Sequence, residues 1–421
     1  MLIALAAVAA AYRFIYGLGV TTGQSDTWPW GIWKAFNVMG LISLGAAGFV
    51  TAALIYFFGG ERYHGLARAT VLWAILCYGF CGASLVVDIS VPWRIVNPIY
   101  MWPTQSVLFE VAWCVILYLT VLVLELVPAV FDRFGWERLR DIWKKLIPIY
   151  TIIGLSFFTY LMSHQSLLWA VSAFVLFSVL AILLPRVNKN PSTPALIVMF
   201  GIILSVNHQS SLGSLFLLMP DKLSHFWWSP RLPFNFLISA AAIGFSLVLV
   251  ERAISAKFFN CNAYNDQLSR LAGIAMACLW FYFGFRMIDV VIQAIQVSAA
   301  GNIATAFGGT KHALLFFIEI VGGVFLPALM FSFPVVRNTP ALRVTAATLA
   351  VLGGLFNRIN VGFLGMTMPG QYIPTITEWL VAIGTIAAII LIYSIGIKLF
   401  PIFEVDEEEH STHVAQPRTN P

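Results

Sequence analysis

The sequence predicts an all-α, polytopic transmembrane helical bundle of about ten to twelve spans. Three observations carry that expectation. Hydrophobic residues make up 60% of the 421 residues and charged ones only 10%, with a mean hydropathy of +0.86, whereas about a quarter of an average globular chain is charged. Apolar runs of roughly 20 residues, the length that crosses a hydrocarbon core of about 30 Å, recur along the whole chain. Basic residues are dense in every second connection between these runs, as membrane topology requires.

Twelve candidate spans follow in order: Met1–Leu18, Ala35–Phe58, Ala69–Ser90, Gln105–Val130, Leu146–Ser163, Ser166–Leu184, Ala195–Leu218, Pro233–Val250, Leu268–Val297, Lys311–Phe333, Leu342–Asn357 and Glu378–Leu399. The first is apolar from Met1 to Ala11 but lacks a basic leading region. It reads as a short span carrying Arg13, not as a cleaved signal. Residues 1–400 form one transmembrane domain; residues 401–421, acidic from Glu404 to Glu409 and then polar, form a solvated tail.

Connections after the even-numbered spans hold Arg62 and Arg68, then Arg133, Arg138, Arg140, Lys144 and Lys145, then Arg186 and Lys189, then Arg252, Lys257 and Arg270, then Arg337 and Arg343. The intervening connections carry Lys34, Arg94, Lys222, Arg231, Lys311 and Arg358. The positive-inside rule then places both termini in the cytoplasm. The outer loops are aromatic: Trp28-Pro29-Trp30-Gly31-Ile32-Trp33, Trp93 with Trp102-Pro103, and His225-Phe226-Trp227-Trp228. They form an interfacial belt and offer a docking surface for a soluble partner. The net charge of +5 follows topology and calls for no nucleic acid. The cysteines show no metal-type spacing; Cys77 and Cys81 lie one turn apart in an apolar run, where cysteine acts as a small hydrophobe.

Polar residues inside spans are the functional candidates, because an ionisable group near a span centre costs about 2.5–3.5 kcal/mol on insertion scales. The chain is organised around Asn207-His208-Gln209-Ser210-Ser211-Leu212-Gly213-Ser214 in the seventh span. In hydrocarbon such a run must face protein, water or a ligand. A shorter copy, Ser163-His164-Gln165-Ser166-Leu167, ends an earlier apolar segment.

Asp88, Glu110 and His208, with Gln209 and Ser210, are the right types to bind and protonate a quinone. Two carbonyl oxygens need donors, and two-electron reduction needs two protons from groups that titrate near neutrality. Histidine does this unperturbed, and a carboxylate does it once burial has raised its pKa. The alternative is that His208 and Glu110 only hydrogen-bond neighbouring helices. Arg286 and Asp289, three apart, can neutralise each other, and Glu319 is placed to join them. With Glu125, near the cytoplasmic end of span four, they are proton-path candidates, the alternative being a structural charge pair. The scarcity of other polar residues in the cytoplasmic half points to an electroneutral reaction.

Several motifs resemble a known family. Pro29-Trp30-Gly31-Ile32-Trp33-Lys34-Ala35-Phe36-Asn37, Ser106-Val107-Leu108-Phe109-Glu110, the His208–Ser214 run, and Pro369-Gly370-Gln371-Tyr372 with Pro374-Thr375 and Glu378-Trp379 are similar to NrfD/HybB-type integral membrane subunits, in family order. The resemblance implies NrfD-like four-helix bundles in a bacterial inner membrane and a quinone-binding subunit with no haem or iron–sulfur cluster of its own. It implies electron exchange between a periplasmic, ferredoxin-like iron–sulfur partner and menaquinone or another membrane quinone. Catalytic or multihaem cytochrome c subunits often complete such complexes, so the chain is no enzyme alone; menaquinone reduction is the favoured role. Trp33 and Asn37 join the expected pocket, although Asn37 stands where hydrogenase-type subunits are expected to carry an acid.

Against the expected ten-span pattern, residues from roughly Thr159 to Ser205 add two apolar segments and the second His-Gln-Ser. Two other functions compete. A haem b-binding anchor needs histidine pairs at different depths, but His164, His208, His225 and His312 all fall toward the outer side. A secondary transporter favours inverted repeats and broken helices meeting at the midplane, whereas the polar residues here sit to one side.

Overall fold

Lipid offers the backbone no hydrogen-bond partners, so a chain this apolar satisfies its amides within helices. The computed structural model describes residues 1–187, 195–259, 261–299, 301 and 306–403. Along them run α1 (Leu2–Tyr16), α2 (Trp33–Phe57), α3 (Glu61–Asp88), α4 (Val107–Phe134), α5 (Glu137–Met162), α6 (Leu167–Val187), α7 (Ala195–Leu217), α8 (Leu232–Phe259), α9 (Asn265–Ala299), α10 (Gly309–Ser332), α11 (Pro340–Leu364) and α12 (Ile376–Leu399). All except α1 and α6 are long and apolar enough to cross a membrane, which makes ten such helices among the described residues. At 15 residues, α1 reaches only about 22 Å. It lies along α12, where a methyl built on Gly384 would come within 2.1 Å of Ala6 Cβ. The protein is a multi-pass integral membrane protein.

Helices α2, α3, α4 and α7 form one four-helix unit and α8 to α11 a second, with α8 also packing on α2 and α7. Helices α5 and α6 pack outside α4 and α7, and α12 covers α3. Lipid supplies no hydrophobic drive between helices, so close backbone approach carries the packing. Gly45 and Gly48 of α2 admit Tyr78 and Ala74 of α3, and Gly323 of α10 meets Gly353 of α11 backbone to backbone. Among the described residues three wide π turns interrupt the helices, at Trp33–Gly40, Ile318–Phe325 and Asn360–Leu364. Such turns mark functional sites in many helices. The first and third touch each other through Ala35 and Gly362.

The connections bearing the tryptophans gather at one end, here the aromatic face. Trp28 Nε1 donates to Pro369 O at 2.9 Å, and Ser224 Oγ to Phe307 O at 2.9 Å. Three charges expected in the loops of this face belong instead to helices, Lys311 among them in the first turn of α10. Lys34 lies in the opening π turn of α2, and Arg358 is fully buried in α11, which continues past the predicted end at Asn357 to Leu364. The helix continues because the guanidinium finds acceptors inside the bundle. The two His-Gln-Ser copies also diverge. His164 and Gln165 adopt left-handed backbone, with φ of 55° and 67°, and make the turn between α5 and α6, whereas the later copy is helix interior. The tail from residue 404 lies outside the described residues.

A methyl built on Gly353 would lie 2.1 Å from Gly323 Cα. Gly353→Val should therefore destabilise the second unit by about 1–3 kcal/mol or more, read as a lower thermal midpoint of the detergent-purified protein. Gly79→Ala, whose methyl meets nothing within 4 Å, should leave the midpoint in place.

Candidate functional site

Helix α3 carries Tyr78, Cys81, Ser84 and Asp88 on one stripe, since steps of three and four residues return to the same helical face. At the aromatic end Asp88 is buried, with Oδ2 3.2 Å from Lys34 Nζ and Oδ1 accepting from Gln24 Nε2 at 3.0 Å. One turn deeper, Asn37 Nδ2 donates to Ser84 Oγ at 3.1 Å and Thr385 Oγ1 at 3.2 Å. Tyr78, ten residues below Asp88 and hence about 15 Å along the axis, places its hydroxyl 3.1 Å from His208 Nε2.

His208 is fully buried and flanked edge-on by Tyr78, with Tyr118 of α4 beyond at 6.3 Å between ring centres. Ser205, one turn earlier on α7, lies beside both phenols. His208 Nδ1, Ser205 Oγ and Tyr118 Oη, all buried, make no well-aligned hydrogen bond among the described residues, although Ser205 lies close to both phenols and the Leu204 backbone close to the imidazole. Gln209 Nε2 donates to Ile42 O at 2.9 Å, and Ser210 turns back to its own helix at Asn207 O, 2.7 Å. Ser211 Oγ donates to Glu110 Oε1 at 2.6 Å, and Glu110 is half-buried in the first turn of α4.

The three expected catalytic residues are therefore not one cluster. They occupy two arms, Asp88 along α3 and Glu110 through Ser211 on α7, that lead toward His208. His164 stands apart, exposed in its turn with Nδ1 3.5 Å from Thr104 Oγ1. Trp33 is wholly buried and spends its indole N–H on Glu378 O at 3.0 Å. It braces the loops more than it lines a pocket. Cavities of this face lie elsewhere: about 570 Å³ bordered by Trp28, Lys311, His312 and Tyr372, and about 450 Å³ bordered by His225, Trp228 and Gln293.

Sequence reasoning missed Tyr78, Ser205, Tyr118 and the Glu378 clamp. The signal for the first was present: a tyrosine deep in a span must find a polar partner, and Tyr78 shares the Asp88 stripe. Glu378 accepts from Gly23 N and Thr375 N, both at 2.9 Å, and from Tyr372 Oη at 2.6 Å. Burial and the adjacent Glu378 carboxylate push the Tyr372 phenol well above its ordinary range, so it stays a neutral donor.

In the second unit the carboxylates are well supplied with donors, although Asn235 Oδ1, Gln293 Nε2 and Asn360 Oδ1, all buried, find no partner among the described residues. Asp289 takes Ser229 at 2.8 Å, Arg231 at 2.6 Å, Asn235 at 2.8 Å and Arg286 at 3.3 Å. Arg286 also donates to Phe226 O. Glu319 does not join this pair but accepts from Trp227 at 2.8 Å, Asn357 at 2.8 Å and Asn360 at 2.6 Å. Glu125 differs from both, bordering a cavity at the end of the first unit away from the aromatic face.

The chain matches the family model described as polysulphide reductase, NrfD, over residues 20–370. It is 26% identical to the probable Ni/Fe-hydrogenase 2 b-type cytochrome subunit of Escherichia coli, covering 96% of this chain and 91% of that one. It is 24% identical to the menaquinone reductase integral membrane subunit of Nitratidesulfovibrio vulgaris, covering 95% and 89%. A further protein of the same organism is 28% identical over 98% of this chain and 95% of its own length.

Lys34→Met strips the buried Asp88 of its cation. Because Lys34 is itself 30% exposed, the loss should be about 1–3 kcal/mol, below the 3–5 typical of fully buried pairs. A fall in thermal midpoint, reversed in Lys34→Met/Asp88→Asn, checks the pairing.

Proposed function

Because the chain belongs to the polysulphide reductase NrfD family, we propose that it is the quinone-site subunit of a respiratory redox complex. It would exchange electrons between an iron–sulfur partner docked on the aromatic face and a membrane quinone, most simply reducing menaquinone. The name of the Nitratidesulfovibrio vulgaris relative, a menaquinone reductase membrane subunit, supports that direction. On this reading the aromatic face is periplasmic, both termini are cytoplasmic and the membrane is the bacterial inner one.

The observation that carries the reading is the Glu110–Ser211 pair. A half-buried carboxylate sits near the membrane boundary, within reach of a lipid-borne head group, and is bonded to the helix that holds His208 one turn deeper. A quinone carbonyl needs a donor that can surrender its proton and be recharged. On this reading Glu110 gives the proton, and His208 with Tyr78 replaces it. Asp88, held by Lys34 and Gln24, fixes the charge balance of the other arm.

The test is naphthoquinone reduction by the purified complex at matched assembly. His208→Ala and Glu110→Gln should each slow turnover by about 100-fold, the usual contribution of a positioned proton donor. His164→Ala, altered in an exposed turn, should change it less than about 2-fold by the same reasoning. Full turnover in His208→Ala would sink the assignment. A haem absorption band in the isolated chain would overturn its haem-free part.

A further inference from the structure

Two cavities of the aromatic face stand side by side at the end of the second unit. The larger, about 570 Å³, is bordered by Trp28, Lys311, His312, Gln371 and Tyr372, and the smaller, about 450 Å³, by Asp221, His225, Trp228, Gln293 and Gln296. Thr367 borders both, so one ridge divides them. That ridge is bonded along its length. Leu223 and Met366 form an antiparallel bridge, Ser224 N donates to Gly365 O at 3.0 Å, and Thr367 N donates to Lys222 O at 3.1 Å. Behind it Ser224 Oγ donates to Phe307 O and Trp227 Nε1 to Glu319. The dividing wall is preformed, and a protein that seats on it has little ordering cost to offset.

The two cavities carry opposite charge. Lys311 brings an ammonium to the larger one, whose border holds no carboxylate among the described residues. His312 there has its ring nitrogens turned on Gly308 O and Met366 O. Asp221 brings a carboxylate to the smaller one, whose border holds no lysine or arginine among the described residues. Both side chains are exposed, and neither forms an ion pair with a described residue. Lys222, exposed beside Asp221 on the ridge, borders neither cavity. Gln293 in the smaller cavity is buried, and its Nε2 finds no acceptor among the described residues. Buried amides without acceptors are uncommon in folded proteins, and this one borders open space. Connections and the ends of α9, α10 and α11 build both borders. Such a seat suits a soluble protein better than a lipid-borne molecule.

We propose that these paired cavities are the seat of the iron–sulfur partner, which presents an acidic projection to Lys311 and, beside it, a basic one with a free main-chain carbonyl to Asp221 and Gln293. The proposal rests on the redox-subunit reading above and deepens it, giving that partner its orientation. A single charge steers an approaching protein. Two charges of opposite sign across a rigid ridge also reject the same protein turned end for end, because like charges would then meet. A subunit that delivers electrons to one site gains from being held one way round.

The experiment uses the native complex in detergent. Loss of the iron–sulfur subunit on dilution is followed by mass photometry at about 50 and about 300 mM salt, where exposed charges are weakly and strongly screened. Wild type should hold its partner less tightly at the higher salt. Lys311→Glu and Asp221→Lys should each weaken the hold by about 10-fold at the lower salt. Each should recover part of that loss at the higher salt, as the new repulsion is screened. Both positions are exposed, and a glutamate in the first turn of α10 suits the helix dipole, so thermal midpoints should stay in place. Benzoylphenylalanine at Gln371 and at Gln296 should crosslink to the iron–sulfur subunit, through an acidic segment at the first and a basic one at the second. The same probe at Lys257, exposed at the opposite face, should yield no such crosslink. Wild-type hold in both variants at the lower salt, or crosslinks from Gln371 and Gln296 to a second copy of this chain or to nothing, overturns the docking seat and leaves the quinone reading standing. A complex that contains no iron–sulfur subunit overturns both.

Discussion

The two helical units are held to one another by a buried charge relay. Arg358 Nη1 donates to Asn357 Oδ1 at 2.7 Å, and Asn357 Nδ2 donates to Glu319 at 2.8 Å. The remaining guanidinium nitrogens reach Ser43 of α2 at 2.7 Å and Ser239 of α8 at 2.9 Å, with the Phe236 ring 3.9 Å away. Cation and carboxylate thus tie α2 of the first unit to α8, α10 and α11 of the second. Such a network is strong only when complete, since a low dielectric strengthens each bond and penalises each gap alike. Here the gaps are closed by Trp227 and Asn360, the latter in a π turn whose wider winding belongs to the same arrangement.

Span existence was legible because it depends on one quantity, the length of apolar sequence, and lipid enforces that quantity directly. The depth of Asp88 and of Glu110 followed from the same count. Arg358 was not legible. A charge at the edge of an apolar run reads as a loop residue unless its acceptors are known, and those acceptors come from positions as distant as Ser43 and Ser239. The duplicated His-Gln-Ser was misleading for a related reason. Identical side chains took a turn in one place and a helix in the other because only the later copy has helices on every side to meet it.

The candidate site was legible by type and illegible by grouping. Composition singled out His208, Asp88 and Glu110, but three-dimensional neighbours decide what each one does. Asp88 is spoken for by Lys34 and Gln24, Glu110 by Ser211, and His208 by a tyrosine that hydropathy counts as part of an apolar run. Tyrosine escapes a charge-based search because its hydroxyl is uncharged, yet in hydrocarbon it carries the same demand for a partner as any other polar group.

The two units differ in how their buried carboxylates are held. In the second, Asp289 takes four donors and Glu319 three, with Arg286 paired to the first and Arg358 linked to the second through Asn357. A group so fully bonded gains nothing by exchanging a proton. Atoms unmet among the described residues occur in both units, on Tyr118, Ser205, His208, Gln209 and Asn37 in the first and on Asn235, Gln293 and Asn360 in the second. Buried polar atoms are satisfied almost everywhere in folded proteins, so a run of exceptions calls for a reason. The relay through Arg358 lets the fold tolerate them, because it holds α2 against α8 whatever the first unit does with its hydroxyls.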